Sequence, residues 1–258
     1  MQVVETARRV GNKLAPNGAL DVLRQLLLFF GVYYTYRITR GAVDTPDGAI
    51  IAFQNARELI NIEQATGLFF EARVQDWSSG FQPAMDAAAW IYMNAQTTIC
   101  FGALVYIYVV HNERYYFVRN MMMTAMIIAL VGYMAYPTAP PRFFPEWGFS
   151  DTISLYTGIS QQDVKVNALF NPYAAVPSMH CANAIMLGLV LAQLVKSRPA
   201  RYFWAAYPAL MFWVVVVTGN HWVLDAVLGA ATAAISYGVA RALALSRPEA
   251  WAFSPVRA

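Results

Sequence analysis

Asn171-Pro-Tyr-Ala-Ala-Val-Pro-Ser-Met-His180 is the stretch that decides how this chain reads. It is a turn-forming segment that delivers a serine and a histidine to the first turn of an apolar helix, Cys181 to Val195. Pro177 suits the first helical position, where its missing N–H would be unpaired anyway. The backbone N–H groups of Ser178 to His180 then point out of the helix end, where the dipole favours an anion. A phosphate is the expected ligand there, with His180 beside it.

The rest of the chain reads as a frame that holds this site at a membrane surface. Of 258 residues, 58% are hydrophobic and 13% charged, and the mean hydropathy is +0.40. That excludes an ordinary soluble domain. Six apolar runs have lengths suited to a bilayer, at about 20–36, 86–110, 117–136, 178–195, 202–218 and 221–244. The first is the weakest, because Asp21, Arg24 and Gln25 open it. The expected fold is all-α: a polytopic membrane bundle of about six transmembrane helices, with amphipathic interfacial helices on the outer face. With a cytoplasmic N-terminus, 12 of the 18 basic residues fall on the inside and ten of the 15 acids on the outside. The positive-inside rule therefore expects a multi-pass cell-membrane protein with both termini cytoplasmic and the Ser178-Met-His180 end extracytoplasmic. The net charge of +3 follows from topology, and no basic, aromatic-interleaved patch points to nucleic acid.

Cys100 and Cys181 lie in apolar runs, without metal-site spacing, and are expected to pack as small hydrophobes. The polar first 19 residues do not resemble a cleaved signal peptide. No repeat or linker divides the chain, so residues 1–258 are expected to form one integral membrane domain with its motifs within 136–230.

Two long segments face outward in this topology. In Gly41 to Met85, Pro46-Asp47 opens a helix expected over Ala49 to Glu63, with Ile50, Ile51, Phe53, Leu59, Ile60 and Ile62 apolar. A second short helix is expected over Gly67 to Trp77, and Trp77, Phe81 and Trp90 suit an interface. Glu58, Glu63 and Glu71 are expected on the solvated face rather than at a substrate. From Pro137 to Val176, the stretch Pro137-Thr-Ala-Pro-Pro-Arg-Phe143 is too proline-rich to stay helical. Phe144, Trp147, Phe149, Tyr156 and Phe170 are expected to cap the bundle there.

Of three histidines, His111 belongs to an expected cytoplasmic loop and reads as a surface residue. His180 and His221 both fall at outer ends of predicted spans. Asp225 follows His221 by four residues, on the same helical face. An aspartate inside a span is costly and needs a partner. A carboxylate one turn from a histidine sets its tautomer and strengthens the other ring nitrogen as a nucleophile. Arg142, just after the third span, presents a planar fork suited to phosphate. Each residue alone has a plainer reading, as a snorkelling arginine, a helix-end histidine or a polar contact between helices. Their convergence on one face makes a catalytic site the better reading.

These segments resemble the three signature motifs of the type 2 phosphatidic acid phosphatase superfamily. Pro140-Pro-Arg142 resembles the end of the first motif, Pro177-Ser-Met-His180 the second and His221-Trp-Val-Leu-Asp225 the third. The chain departs from the usual pattern in two places. Ala135 stands where the first motif has a lysine, and Thr218-Gly-Asn220 precedes His221 where the third motif has a serine-arginine pair upstream. In this form it is more similar to the inositol phosphorylceramide synthase branch, which moves a phosphoryl-headgroup between lipids.

The resemblance implies catalysis by His180, His221 and Asp225, with Arg142 and Ser178 binding the substrate phosphate. His221 would form a phosphohistidine intermediate, and His180 would protonate the leaving alkoxide and deprotonate the acceptor. No cofactor and no metal are implied. The metal-dependent CDP-alcohol phosphotransferase motif is missing, because Ile51-Ala52 stands where Asp47-Gly48 would need Ala-Arg to follow. The expected partners are the lipid bilayer, a membrane phospholipid substrate, and a lipid or water acceptor. The main alternative is a metal-independent lipid phosphate phosphatase. Outside enzymes, the alternatives are a transporter, for which the chain lacks paired interrupted spans, and a structural membrane protein with a vestigial site.

Overall fold

The computed structural model describes residues 14–42, 46–159 and 172–246. In order these form α1 (Ala19–Ala42), α2 (Pro46–Thr66), α3 (Glu71–Ser79), α4 (Gln82–Val110), α5 (Asn112–Ala135), α6 (Thr152–Thr157), α7 (Met179–Leu194), α8 (Arg198–Val217) and α9 (Val223–Ser246). Single 3-10 turns occupy Pro141–Phe143 and Pro145–Trp147. Among the described residues there is no strand, only an isolated bridge between Thr138 and Ala174. The described residues form an all-helical fold. Phe170, Asn171 and the first 13 residues of the expected tail lie outside the described residues.

Each of the six apolar runs is a helix. Four of them, α4, α5, α8 and α9, have 29, 24, 20 and 24 residues and are long and apolar enough to cross a membrane. Their outward faces expose Phe101, Ile127, Val131, Phe203, Val227 and Ile235, a distribution suited to lipid rather than water. The chain is a membrane protein. Helix α7 is apolar but has only 16 residues. Helix α1 is not among the four, since Asp21, Arg24 and Gln25 dilute its apolar run.

The polar residues of α1 are paired against neighbouring helices. Asp21 accepts hydrogen bonds from the hydroxyls of Tyr108 and Tyr116, each at 2.7 Å. Gln25 donates to Asp21 at 2.9 Å and accepts from Arg119 at 2.7 Å. This network ties α1 to the α4–α5 hairpin, and each partner removes a desolvation cost that a lone polar group would carry.

Helix α7 is central, packed by α4, α5, α8 and α9. A Cβ at Gly229 of α9 would lie 2.5 Å from the Ser178 carbonyl oxygen, so α9 meets the start of α7 at backbone contact. Cys100 and Cys181 are buried thiols within this packing.

A second core forms where α5 ends and α7 and α9 begin. It joins Ala52, Ala56, Leu59 and Ile60 of α2 with Phe144, Phe149 and Trp222. The indole N–H of Trp222 donates to the Ala139 carbonyl at 2.9 Å. The proline-rich segment thus folds onto the bundle end, though Tyr156 stays exposed.

The segment between α1 and α4 differs from expectation in three ways. Helix α2 stops at Thr66, where Gly67 takes a positive φ of 74° and the Glu63 carbonyl accepts from Leu68 and Phe69. The second helix therefore starts at Glu71, not Gly67. The buried stripe of α2 is Ala52, Ala56, Leu59, Ile60 and Glu63, whereas Ile50, Ile51 and Ile62 are exposed. Glu63 and Glu71 are fully buried, not solvated, because backbone amides of α9 receive them; Glu58 is exposed as expected. Helix α3 buries its polar residues Glu71, Gln75 and Ser78 and leaves Trp77 81% exposed.

Candidate functional site

The start of α7 is built by capping. Ser178 sits at N-cap in extended backbone and its hydroxyl accepts from the Cys181 N–H at 3.4 Å. Pro177 therefore precedes the helix instead of occupying its first position. Tertiary bonds hold it there: Tyr133 donates to the Pro177 carbonyl at 3.1 Å, and the Ser178 N–H donates to the Asp225 carbonyl at 3.0 Å. Of the three amides expected to face a ligand, the one at Ser178 is thus engaged, and Ser178 itself is fully buried.

His221 sits just before α9 and is 4% exposed. Its Nδ1 lies 3.0 Å from the Ala175 carbonyl oxygen and 3.3 Å from Asp225 Oδ2. A carbonyl oxygen only accepts, so Nδ1 carries the hydrogen and the ring's other lone pair is on Nε2. Asp225 is fully buried, and the same Oδ2 accepts from the Trp222 N–H at 3.0 Å. The two side chains meet as the four-residue spacing predicts, but His221 lies before the helix and not on a shared helical face.

His180, in the first turn of α7, is half-buried and holds the opposite tautomer. Its Nε2 donates to the Tyr92 carbonyl of α4 at 3.2 Å, and its ring stacks on Tyr92 with centroids 4.3 Å apart. The His180 and His221 rings lie 5.7 Å apart, centroid to centroid, at an interplanar angle of 59°. Residues 41 positions apart in sequence are neighbours because α7 and α9 start side by side.

Arg142 joins this end through the turn before His221. Its N–H donates to the Gly219 carbonyl at 2.8 Å, its guanidinium donates to Asn220 Oδ1, and its guanidinium carbon lies 4.8 Å from the Phe143 ring centroid. Gly219 has φ +67°, and a Cβ there would meet the Ser150 carbonyl at 3.0 Å and Arg142 Cβ at 3.4 Å. Only glycine fits the backbone and the space together.

Behind the histidines, the first amides of α9 end on carboxylates. Trp222 N–H reaches Asp225, Val223 N–H reaches Glu71 Oε1 at 2.9 Å, and Leu224 N–H reaches Glu63 Oε1 at 2.7 Å. These acceptors satisfy the amides that a helix N-terminus leaves without an intrahelical partner. Burial, reinforced by the neighbouring Glu71, pushes the Glu63 carboxyl well above the usual carboxylate range. Among the described residues, no group of three His, Cys, Asp or Glu side chains is disposed to hold a metal ion.

The structure thus brings Arg142, Ser178, His180, His221 and Asp225 to one end of the bundle. Tyr92, Asn220, Glu63, Glu71 and Gln75 join them without having been singled out as site residues. For Asn220 the signal was its place in the turn before His221. For Glu63 it was the register with Ala52, Ala56 and Leu59 (one stripe at helical spacing). Tyr92 carried no local signal.

Neither the curated proteins nor the solved structures contain a match to this chain. A family model described as the PAP2 superfamily matches residues 57–239. That match runs from within α2 to within α9 and takes in all three motif segments, so the chain belongs to the PAP2 superfamily, whose members are typically phosphatases or phosphotransferases.

Proposed function

We propose that this protein is a membrane lipid phosphotransferase of the inositol phosphorylceramide synthase kind, working through a phosphohistidine. The observation that carries the reading is the pair His180 and His221, 5.7 Å apart with opposite ring nitrogens anchored. Such a pair can divide nucleophile and proton carrier between two rings.

In this mechanism His221 Nε2 attacks phosphorus, and the bond from phosphorus to the donor lipid's oxygen breaks. The departing alkoxide takes the Nδ1 proton of a cationic His180, while Nε2–H stays on the Tyr92 carbonyl. The acceptor hydroxyl then returns its proton to His180 Nδ1 and attacks phosphorus, and the P–N bond breaks to regenerate His221. Asp225 orients the His221 ring through Nδ1–H and offsets the charge the ring gains. Arg142, held by Asn220 and Phe143, and the first-turn amides of α7 stabilise the phosphoryl oxygens. Ser178 contributes by fixing where that turn begins.

The same reading takes the whole chain as one domain of six spans, with α1 and α7 completing the bundle. It keeps both termini cytoplasmic, the site at the outer leaflet, and α2 and α3 at the interface. Support comes from the site's position: it gathers the starts of α7 and α9, the early part of α4, and the segment after α5. Those points share one side in an alternating topology. Exposed Trp77, Phe81 and Trp90 suit the headgroup region there.

The test uses protein in liposomes free of divalent metal, given labelled phosphatidylinositol or phosphatidic acid, with and without ceramide or diacylglycerol. New phospholipid that requires the acceptor and disappears in His221→Ala supports the transferase. Free phosphate from phosphatidic acid would make the protein a phosphatase instead. Turnover unchanged in His221→Ala would overturn the mechanism.

A further inference from the structure

Helices α2 and α3 bury polar side chains that a surface segment would ordinarily turn to water, and three of these reach the backbone around one turn. Glu63 and Glu71 accept from the Leu224 and Val223 amides. Gln75 donates to the Val217 carbonyl at 2.9 Å and exchanges hydrogen bonds with Ser150, donating to its carbonyl and accepting from its N–H. Together they grip both ends of 217–224, the turn that holds Gly219, Asn220 and His221. Buried groups of this kind fix geometry, because each alternative arrangement leaves a polar atom unmatched.

We propose that Glu63, Glu71 and Gln75 are positioning residues, a clamp by which α2 and α3 set the placement of His221. None of the three touches the histidine; they act through the backbone on either side of it. The kinetic consequence rests on His221 being the reacting histidine, whereas the placement itself does not.

The two glutamates make different demands, and this allows a sharp test. Glu71 uses both oxygens as acceptors, Oε1 for the Val223 N–H and Oε2 for the Phe70 N–H at 2.9 Å. A glutamine there can satisfy only one of them. Glu63 contributes one oxygen, to Leu224, and its carboxyl favours the protonated form beside Glu71. Glutamine resembles that form and keeps the acceptor.

The chain has three histidines, so ¹⁵N-imidazole NMR of the detergent-solubilised protein yields a small set of signals, assignable by single His→Gln variants. In Glu71→Gln, the His221 signals should shift and lose the single Nδ1–H tautomer pattern. In Glu63→Gln they should match the wild type, and His111 should be unmoved in both. His221 signals in Glu71→Gln identical to wild type would overturn the clamp, as would equal perturbation in Glu63→Gln. In the liposome assay, Glu71→Gln should lower kcat about 10²-fold with little change in KM, the effect of a misplaced reacting group. If the NMR moves as stated while wild-type protein turns over no lipid phosphate, the functional reading fails and the clamp stands.

Discussion

Tyr92 and His180 lie ring on ring, 4.3 Å between centroids and 20° between planes, and the Tyr92 carbonyl accepts from His180 Nε2. One residue of α4 thus sets both the plane and the tautomer of a histidine on α7. The main-chain bond survives any side-chain change, so the stacking can be tested by itself. Tyr92→Ala should lower kcat/KM about twofold to tenfold, the worth of one aromatic contact. Tyr92→Phe should retain most of the wild-type rate. Steady-state lipid turnover in liposomes compares the two, and equal rates for Ala and wild type would count against the stacking role.

Asp225 Oδ2 serves both the His221 ring and the Trp222 amide. An asparagine keeps one acceptor but loses the charge that balances a cationic or phosphorylated imidazole. Asp225→Asn should therefore fold, as judged by an unchanged gel-filtration profile in detergent. Its turnover should fall about 10²- to 10⁴-fold, the usual span for losing an acid–base partner.

Two glycines on α9 give a matched pair. A Cβ at Gly229 would sit 2.5 Å from the Ser178 carbonyl, whereas at Gly238 nothing lies within 4 Å. Gly229→Ala should destabilise by about 1–3 kcal/mol, because backbone must move to admit it. Gly238→Ala should be neutral or stabilising by up to about 1 kcal/mol, since alanine restricts the unfolded chain. Thermal melts in detergent should show Tm falling only in the first.

The raised carboxyl of Glu63 carries a pH signature. The folded protein binds a proton there that the unfolded chain releases near pH 4.3, so between that pH and the folded value the native state holds more protons. Stability should then fall as pH rises above about 5, with a slope of at most about 1.4 kcal/mol per pH unit from this group. Glu63→Gln removes the titration, so its Tm should decline less from pH 6 to 9 than that of the wild type. Parallel Tm profiles would show that Glu63 ionises equally in both states.

The sequence by itself determined what is local: which runs are apolar and long enough to become helices, and that His221 and Asp225 are spaced to meet. It also marked Pro137 to Phe143 as non-helical and Pro46 as a helix start, since backbone chemistry acts over a few residues. What only the tertiary structure decided depends on contacts between elements distant in the chain. Pro177 stays out of α7 because the Tyr133 hydroxyl and the Asp225 carbonyl bind the peptide group that joins it to Ser178. His180 takes its tautomer from a carbonyl 88 residues away. Glu63 and Glu71 look like surface residues in isolation, and they are buried because α9 presents unpaired amides for them to meet. A polar side chain is inside or outside according to whether a partner awaits it, and the partner's position is set by the fold.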